Sequence, residues 1–260
     1  MKIPESGKKM LYVIAVPVIA YTALCLLFFL LQRQMIYYPV AEVDLPQVPH
    51  IVLDTGKVRI KVWTLNTGRE KALIYFGGNA ENVAYNIDDF RTLFPGYTVY
   101  LVNYRGYGGS SSSPSEEGFR SDALLVYDHF SRRHRSVSVM GRSIGASVAT
   151  YLASKRRVDK LLLVTPFDSA VNVGKTIYPF LPVSLILRER LDAAAAAPEV
   201  TAQTLIIAAG SDEFIPQENS RNLEKAFVHA EVQYLSLGGA GHNTIQLHPE
   251  YAPAVAAFMR

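Results

Sequence analysis

Apolar and polar residues are distributed unevenly along this chain. From Leu11 to Leu31 a run of twenty-one residues, LYVIAVPVIAYTALCLLFFLL, carries no charge. At about 1.5 Å of rise per residue, a helix of that length matches the roughly 30 Å hydrocarbon core of a bilayer. Pro17 is tolerable there, because membrane helices accept proline more readily than soluble ones. A cleaved signal peptide has an apolar region of about 7–15 residues closed by a small-x-small site. This run is longer and ends in Leu-Leu-Phe-Phe-Leu-Leu. Thr22-Ala23-Leu24-Cys25 puts a large residue before the cysteine, and the apolar run continues past it, which argues against a lipoprotein signal. An uncharged run this long is uncommon as the buried helix of a soluble domain. The pattern predicts an uncleaved anchor over residues 11–31, a short N-terminus (1–10) and a linker over 32–49 broken by Pro39, Pro46 and Pro49.

After residue 49 the pattern changes to short apolar runs alternating with helical stretches. Strands are predicted at His50–Asp54, Val58–Asn66, Ala72–Phe76, Tyr97–Asn103, Val137–Met140, Lys160–Thr165, Thr204–Ala209 and Glu231–Leu237. Several are apolar at almost every position, as strands covered on both faces are. Helical segments are predicted at Glu116–Phe130, Ile144–Arg156, Gln217–Val228 and Pro249–Met259. Strand–helix alternation implies an α/β protein: a mostly parallel sheet with helices on both faces, preceded by an antiparallel hairpin. Residues 167–203 interrupt it with an apolar, proline-kinked stretch that includes Tyr178-Pro179-Phe180-Leu181-Pro182. The natural reading is a small cap inserted over the C-terminal ends of the strands. The alanine run Ala193–Ala197 reads as part of a short helix.

Composition narrows the functional classes. A charged fraction of 19% against 49% apolar residues excludes a solvated disordered chain. The single cysteine excludes a disulfide framework, and no Cys/His cluster has zinc-ligand spacing. Lys2, Lys8, Lys9 and Arg33 against Glu5 account for the whole net charge of +3, so the folded part is neutral. A nucleic-acid binder carries its basic excess on the folded domain; that partner class is excluded. Three lysines before the anchor and one arginine soon after it predict a cytoplasmic N-terminus and an extracytoplasmic globular part.

The chemistry concentrates at one turn. Gly141-Arg142-Ser143-Ile144-Gly145 stands between a strand and an alanine-containing helix and reads G-x-S-x-G, the nucleophile elbow. Its glycines are needed because a side chain at either place collides with neighbouring backbone. Ser143 is then the candidate nucleophile, raised to the sheet edge at a helix start that favours developing negative charge. A serine hydroxyl needs a base oriented by a third group, here expected in the chain order Ser, acid, His. The acid follows the strand Thr204–Ala209 in Gly210-Ser211-Asp212-Glu213. Asp212 is preferred over Glu213 as the first acid past the strand, with Asp168 after the preceding strand as runner-up. Among six histidines, His242 lies on a glycine-rich loop after the last strand, Gly238-Gly239-Ala240-Gly241-His242-Asn243. His50, His129, His134, His229 and His248 fit structural positions better. The oxyanion hole needs two backbone N–H groups. Ile144 supplies one, and Asn79, in the tight loop Gly77–Asn82 after an early strand, is the choice for the other.

With these residues in view, the chain resembles the α/β-hydrolase superfamily over roughly residues 50–260. Within it the likeness is to the membrane-anchored branch that includes depalmitoylating acyl-protein thioesterases. The motifs that carry it are Tyr75-Phe76-Gly77-Gly78-Asn79-Ala80-Glu81-Asn82, Asn103-Tyr104-Arg105-Gly106-Tyr107-Gly108, Pro114-Ser115-Glu116-Glu117-Gly118, the elbow, Gly210-Ser211-Asp212-Glu213-Phe214-Ile215-Pro216 and Gly239-Ala240-Gly241-His242-Asn243. The resemblance implies an α/β-hydrolase fold with an eight-stranded, mostly parallel sheet. It also implies a Ser143–His242–Asp212 triad with Asn79 in the oxyanion loop. One position departs: the family usually has His-Gly-Asn in that loop, and Gly77 replaces the histidine, which bears on the rigidity of the loop. The palmitoylated-protein substrate is not carried over, because no cysteine-rich targeting segment is present.

The expectation is a membrane-anchored serine hydrolase that cleaves carboxylic esters or thioesters without metal or cofactor. Its substrate is expected to be a small-molecule or lipid-like acyl compound at the bilayer surface. An amidase or aminopeptidase using the same triad is the alternative enzyme. A catalytically silent hydrolase fold serving as a tethered binding protein is the alternative outside enzymes.

Overall fold

The computed structural model describes the backbone from Glu5 to Arg260 and side chains from Tyr12 onward. The expected cytoplasmic N-terminus therefore lies partly outside the described residues. Eight strands form one sheet: β1 (His50–Asp54), β2 (Arg59–Leu65), β3 (Lys71–Phe76), β4 (Tyr97–Val102), β5 (Ser136–Arg142), β6 (Lys160–Val164), β7 (Gln203–Ala209) and β8 (Val232–Leu237). Their order is β1-β2-β4-β3-β5-β6-β7-β8. β1, β2 and β4 pair antiparallel, and every pairing from β4 through β3 to β8 is parallel. Each strand falls within two residues of its sequence-predicted range at either end.

The apolar runs of the central strands conceal a period of two. Leu73 and Tyr75 pack with Trp63, Leu101, Met140 and Leu162 on one face of the sheet. Ile74 and Phe76 pack with Val102, Val139, Leu161 and Phe119 on the other. Alternate side chains of a strand point to opposite faces, so a strand with a core on both sides is apolar throughout. One face is covered by α3 (Glu116–Phe130), α4 (Ile144–Lys155) and α8 (Gln217–Ala226), the other by α2 (Ile87–Leu93) and α9 (Tyr251–Met259). Ser115 caps α3 by accepting from the Gly118 N–H at 3.1 Å, ahead of Glu116 and Glu117 in the first turn. The short helix α2 has no counterpart in the sequence reading, because only Ile87 and Phe90 of its seven residues are buried. With Leu93 its apolar positions number three, spread over about two turns, which is too short a run to show a helical period.

Ahead of the sheet, α1 (Glu5–Ile36) is one helix of 32 residues. Its apolar part, Tyr12–Ile36, is long and apolar enough to cross a membrane. Val13, Ile14 and Leu30 are each more than 60% exposed, so this is not a core helix hidden inside the body. It also runs on past Leu31, into the stretch expected as linker. There Gln32 is buried: its Oε1 accepts the Arg188 N–H at 2.7 Å and its Nε2 donates to the Ile186 carbonyl at 3.2 Å. Beyond α1 the chain lies against the body, with Tyr37 and Val48 buried.

Of the stretch expected as a cap, α5 (Ala170–Ile177), α6 (Val183–Ile186) and the chain after them to Arg190 stand over the cavity, whereas α7 (Ala193–Ala196) packs on α4 and α8 in the main core and Gln203 already begins β7. Glu189 in this cap is the junction between it, α1 and α3. It is 4% exposed and accepts hydrogen bonds from Arg33 Nε (2.6 Å), Tyr37 Oη (2.7 Å) and the Glu116 N–H (2.6 Å). Burial pushes its proton affinity up, but hydrogen bonds from Glu116, Tyr37 and Arg33 outweigh that and hold the carboxyl below its ordinary range. A group depressed on folding stabilises the fold above its unfolded pKa, and that contribution is lost as pH falls through the folded value. The junction is therefore expected to loosen in acid, below the ordinary glutamate range. Glu189→Gln should flatten that acid dependence, and Glu189→Ala should cost about 1–3 kcal/mol through its orphaned donors. Hydrogen exchange at Tyr37 and Glu116 of the detergent-solubilised protein, followed against pH, measures both.

Candidate active site at the C-terminal edge of the sheet

The strand–turn–helix at β5 and α4 is closed by two backbone approaches. A Cβ on Gly141 would stand 2.2 Å from the Gly145 carbonyl oxygen, and one on Gly145 would stand 2.1 Å from that of Phe76. No side chain fits at either place, which is the collision expected from the sequence. Ser143 between them adopts φ 52° and ψ −118°. That is an unfavourable conformation for a non-glycine residue, of the sort that costs about 1–3 kcal/mol and persists only when its surroundings fix it. Here its N–H is held by the Val164 carbonyl of β6 at 2.9 Å. The Ile144 N–H is among the first of α4, a group that has no partner within its own helix.

Asp212 lies three residues past β7 with its side chain only 4% exposed. Its Oδ1 accepts the Phe214 and Ile215 N–H groups at 2.9 and 2.7 Å, which fixes the carboxylate plane. Its Oδ2 lies 2.8 Å from His242 Nδ1. A proton on Nδ1 makes that contact a hydrogen bond and leaves Nε2 free to accept. The backbone of His242 is held at both ends: its N–H donates to Glu213 Oε2 at 2.9 Å, and its carbonyl accepts from Arg142 Nη2 at 3.1 Å. Ser143, His242, Asn79 and Ile144 line one cavity of about 930 Å³.

Asp168 and three of the other histidines are engaged elsewhere. Asp168 is 2% exposed and accepts from the Ser169 N–H and from the side-chain amides of Asn172 and Asn219, which ties the start of the cap to α8. His134 bonds Tyr100 Oη and the Arg69 carbonyl, His50 packs edge-on to Trp63, and His248 Nδ1 accepts the Glu250 N–H just before α9. Among the described residues, no group of three or more His, Cys, Asp or Glu side chains is placed to hold a metal ion.

Residues 71–196 match the family model of the alpha/beta hydrolase fold. An uncharacterized protein of Mycobacterium tuberculosis is 31% identical over 253 residues, covering 90% of each chain. The chain belongs to the α/β-hydrolase family. The lysophosphatidylserine lipase ABHD12 of Danio rerio is 33% identical over 127 residues, 42% of this chain and 33% of that one. Among solved structures, the Pyrococcus furiosus esterase Pf2001 superposes with a TM-score of 0.69 at 17% identity, covering 86% of this chain and 97% of that one, a likeness of fold.

In this hydrolase the Gly77–Asn82 loop is held by an acid that the sequence reading passed over. Glu81 Oε2 accepts the Gly78 N–H at 2.6 Å, while its Oε1 accepts Tyr75 Oη at 2.6 Å and Asn86 Nδ2 at 2.5 Å. Arg142 Nη1 approaches the same carboxylate at 3.7 Å. A Cβ on Gly77 would press on Val83 at 2.8 Å and on Glu81 at 3.2 Å, so Glu81 and Val83 fill the space that a larger residue at 77 would need. Rigidity at this departure from the usual motif comes from Glu81. An acid three residues after a loop N–H, as in a capping box, was the signal available for it. Arg142, bonded to the histidine loop and close to Glu81, joins the elbow to both neighbouring loops.

The backbone at Ser143 generates a stability test. Ser143→Gly should raise stability by about 1 kcal/mol, since glycine reaches positive φ without a Cβ penalty. Gly145→Ala should lower it by at least about 2 kcal/mol through overpacking against Phe76. Denaturant midpoints of the two variants in detergent measure these opposite shifts.

Proposed function

We propose that this hydrolase is a membrane-anchored serine hydrolase that cleaves carboxylic esters or thioesters of acyl chains. The observation that carries the reading is the Asp212–His242 contact of 2.8 Å beside a cavity that also holds the strained Ser143. In the reaction, His242 Nε2 takes the proton of Ser143 Oγ as that oxygen attacks the acyl carbonyl. Asp212 keeps the other imidazole nitrogen protonated and stabilises the imidazolium. Negative charge on the tetrahedral oxygen is met by the N–H groups of Asn79 and Ile144. Collapse expels the alcohol or thiol, which takes its proton from His242. A water activated by the same imidazole then attacks the acyl-enzyme, releasing the acid and restoring Ser143.

An acyl substrate is supported by the cavity wall. Phe28, Met35 and Ile36 of α1 line it together with Ile177, Leu181 and Ile186 of the cap, and none of the six is charged. A volume of about 930 Å³ is at the upper end for small-molecule sites, at roughly 300–1,000 Å³. The lipase relative supports an ester of a lipid. The basic residues before the anchor place the catalytic domain outside the cytoplasm in this reading.

Ser143→Ala and His242→Ala should abolish fluorophosphonate labelling and ester hydrolysis. Asp212→Asn should lose activity by a factor on the order of 10⁴, the loss known for the orienting acid of a serine protease. Glu213→Gln and Asp168→Asn should stay within about tenfold, roughly 1.4 kcal/mol of barrier, because neither carboxylate contacts the imidazole. Full labelling of the Ser143→Ala protein at another serine would remove the assignment. For topology, an alkaline phosphatase fused after Arg260 should be active. An inactive fusion beside an active cytoplasmic reporter at the same place would reverse the orientation.

A further inference from the structure

The cap and the anchor are packed along each other, and the height of that contact decides where the cap lies. Tyr21 Oη donates to the Phe180 carbonyl at 2.8 Å. Leu24, Cys25 and Phe28 pack against the cap cluster built on Val171, Leu181 and Val183. Gln32 and Arg33 then bond the chain at Ile186–Glu189. Contact thus runs from Tyr21 to the end of α1, about 22 Å at 1.5 Å per residue. Between Leu11 and Tyr21 only about 15 Å of helix is left, half of a hydrocarbon core of about 30 Å. If α1 crosses the bilayer, the cap beside its second half lies inside it.

Two independent features agree with that depth. No residue from Thr176 to Leu187 is charged, and Ile177, Phe180 and Leu185 are exposed at 53%, 58% and 84%. The charges resume at one level on both elements: Arg33 is the first charged residue of α1 after Lys9, and it pairs at 2.6 Å with Glu189, beside Arg188. Arg188 itself lies over the Phe29 ring at 4.1 Å. A shared apolar–polar frontier of this kind is what a membrane interface imposes on adjacent segments. The Tyr21–Phe180 bond also satisfies two polar groups for which hydrocarbon offers no water.

We infer that the cap segment Thr176–Leu187 is immersed in the acyl-chain region of the leaflet that the second half of α1 occupies, and that the cavity takes its lipid substrate sideways from that leaflet. Ile177 both lines the cavity and is exposed, so it marks the opening. A lipid entering there brings its chain in between α1 and the cap without passing through water, while its ester reaches the Ser143 end. This inference rests on the membrane-anchored reading above, and the experiment separates the two.

Cysteines are introduced singly at Ile19, Phe180, Leu185 and Val228 in full-length Cys25→Ala protein, labelled with bimane and reconstituted in phosphatidylcholine–phosphatidylglycerol vesicles. Lipids brominated on the acyl chain then quench probes within the hydrocarbon. Quenching at Phe180 and Leu185 comparable to Ile19, with Val228 unaffected, is expected. Quenching at Ile19 alone overturns cap immersion and leaves the anchor standing. No quenching at Ile19 overturns both. A kinetic arm uses Phe180→Asp combined with Leu185→Asp, neither residue lining the cavity. KM for a long-chain ester presented in vesicles should rise at least about tenfold, given the burial of two large apolar side chains in the lipid. Hydrolysis of p-nitrophenyl acetate by the same variant in detergent should be unchanged. An equal loss on both substrates would make the segment a structural prop for the site and refute lateral entry.

Discussion

A Cβ at position 145 would lie 2.1 Å from the Phe76 carbonyl oxygen, so the start of α4 rests directly on the end of β3. The rest of the site depends on that close approach. It bends the chain at Ser143 into positive φ and aligns the start of α4 beside the loop that leaves β3. It also lets the Ser143 N–H bond across to β6. Because β5, β6, β7 and β8 are parallel, the segments that leave their C-terminal ends emerge on the same edge, where α/β sheets gather their ligands. Asp212 and His242 need only short loops to meet there.

The sequence showed those parts of the fold in which one residue type serves one geometric need. Strand–helix alternation located the sheet, and the G-x-S-x-G spacing located the turn. Asp212 was legible because the acid directly follows a strand, and His242 because glycines surround it. Other features left weaker traces. Glu213 and Glu189 each accept a backbone N–H from a segment that folding brings near, at 2.9 and 2.6 Å. An acid bonding distant backbone carries no period and looks like any solvated glutamate. Arg142 was read only as the variable residue of a motif, though its guanidinium reaches the histidine loop.

The end of the helix α1, which runs on to Ile36, leaves no trace in the sequence for a related reason. Hydropathy falls at Gln32 and Arg33, and a charge after an apolar run reads as the point where a helix leaves the membrane for a linker. In the fold these two polar side chains are docking groups: Gln32 bonds the cap backbone and Arg33 bonds Glu189. The helix continues to Ile36 because its last turns have a partner in the cap. Tertiary contacts set that boundary, and local composition could not reveal them.

The side chain of Asn79 carries a further consequence. Its Nδ2 donates to the Ile36 carbonyl at the close of α1, and its Oδ1 accepts from the Tyr38 N–H and from Tyr107 Oη, both at 3.0 Å. The loop beside Ser143 is therefore clasped to the segment that emerges from the apolar helix. A protease cutting just after that helix would part it from the globular body. The same cut would strip one wall from the cavity and unfasten the loop. Loss of the helix and loss of the shape of this cavity would be a single event.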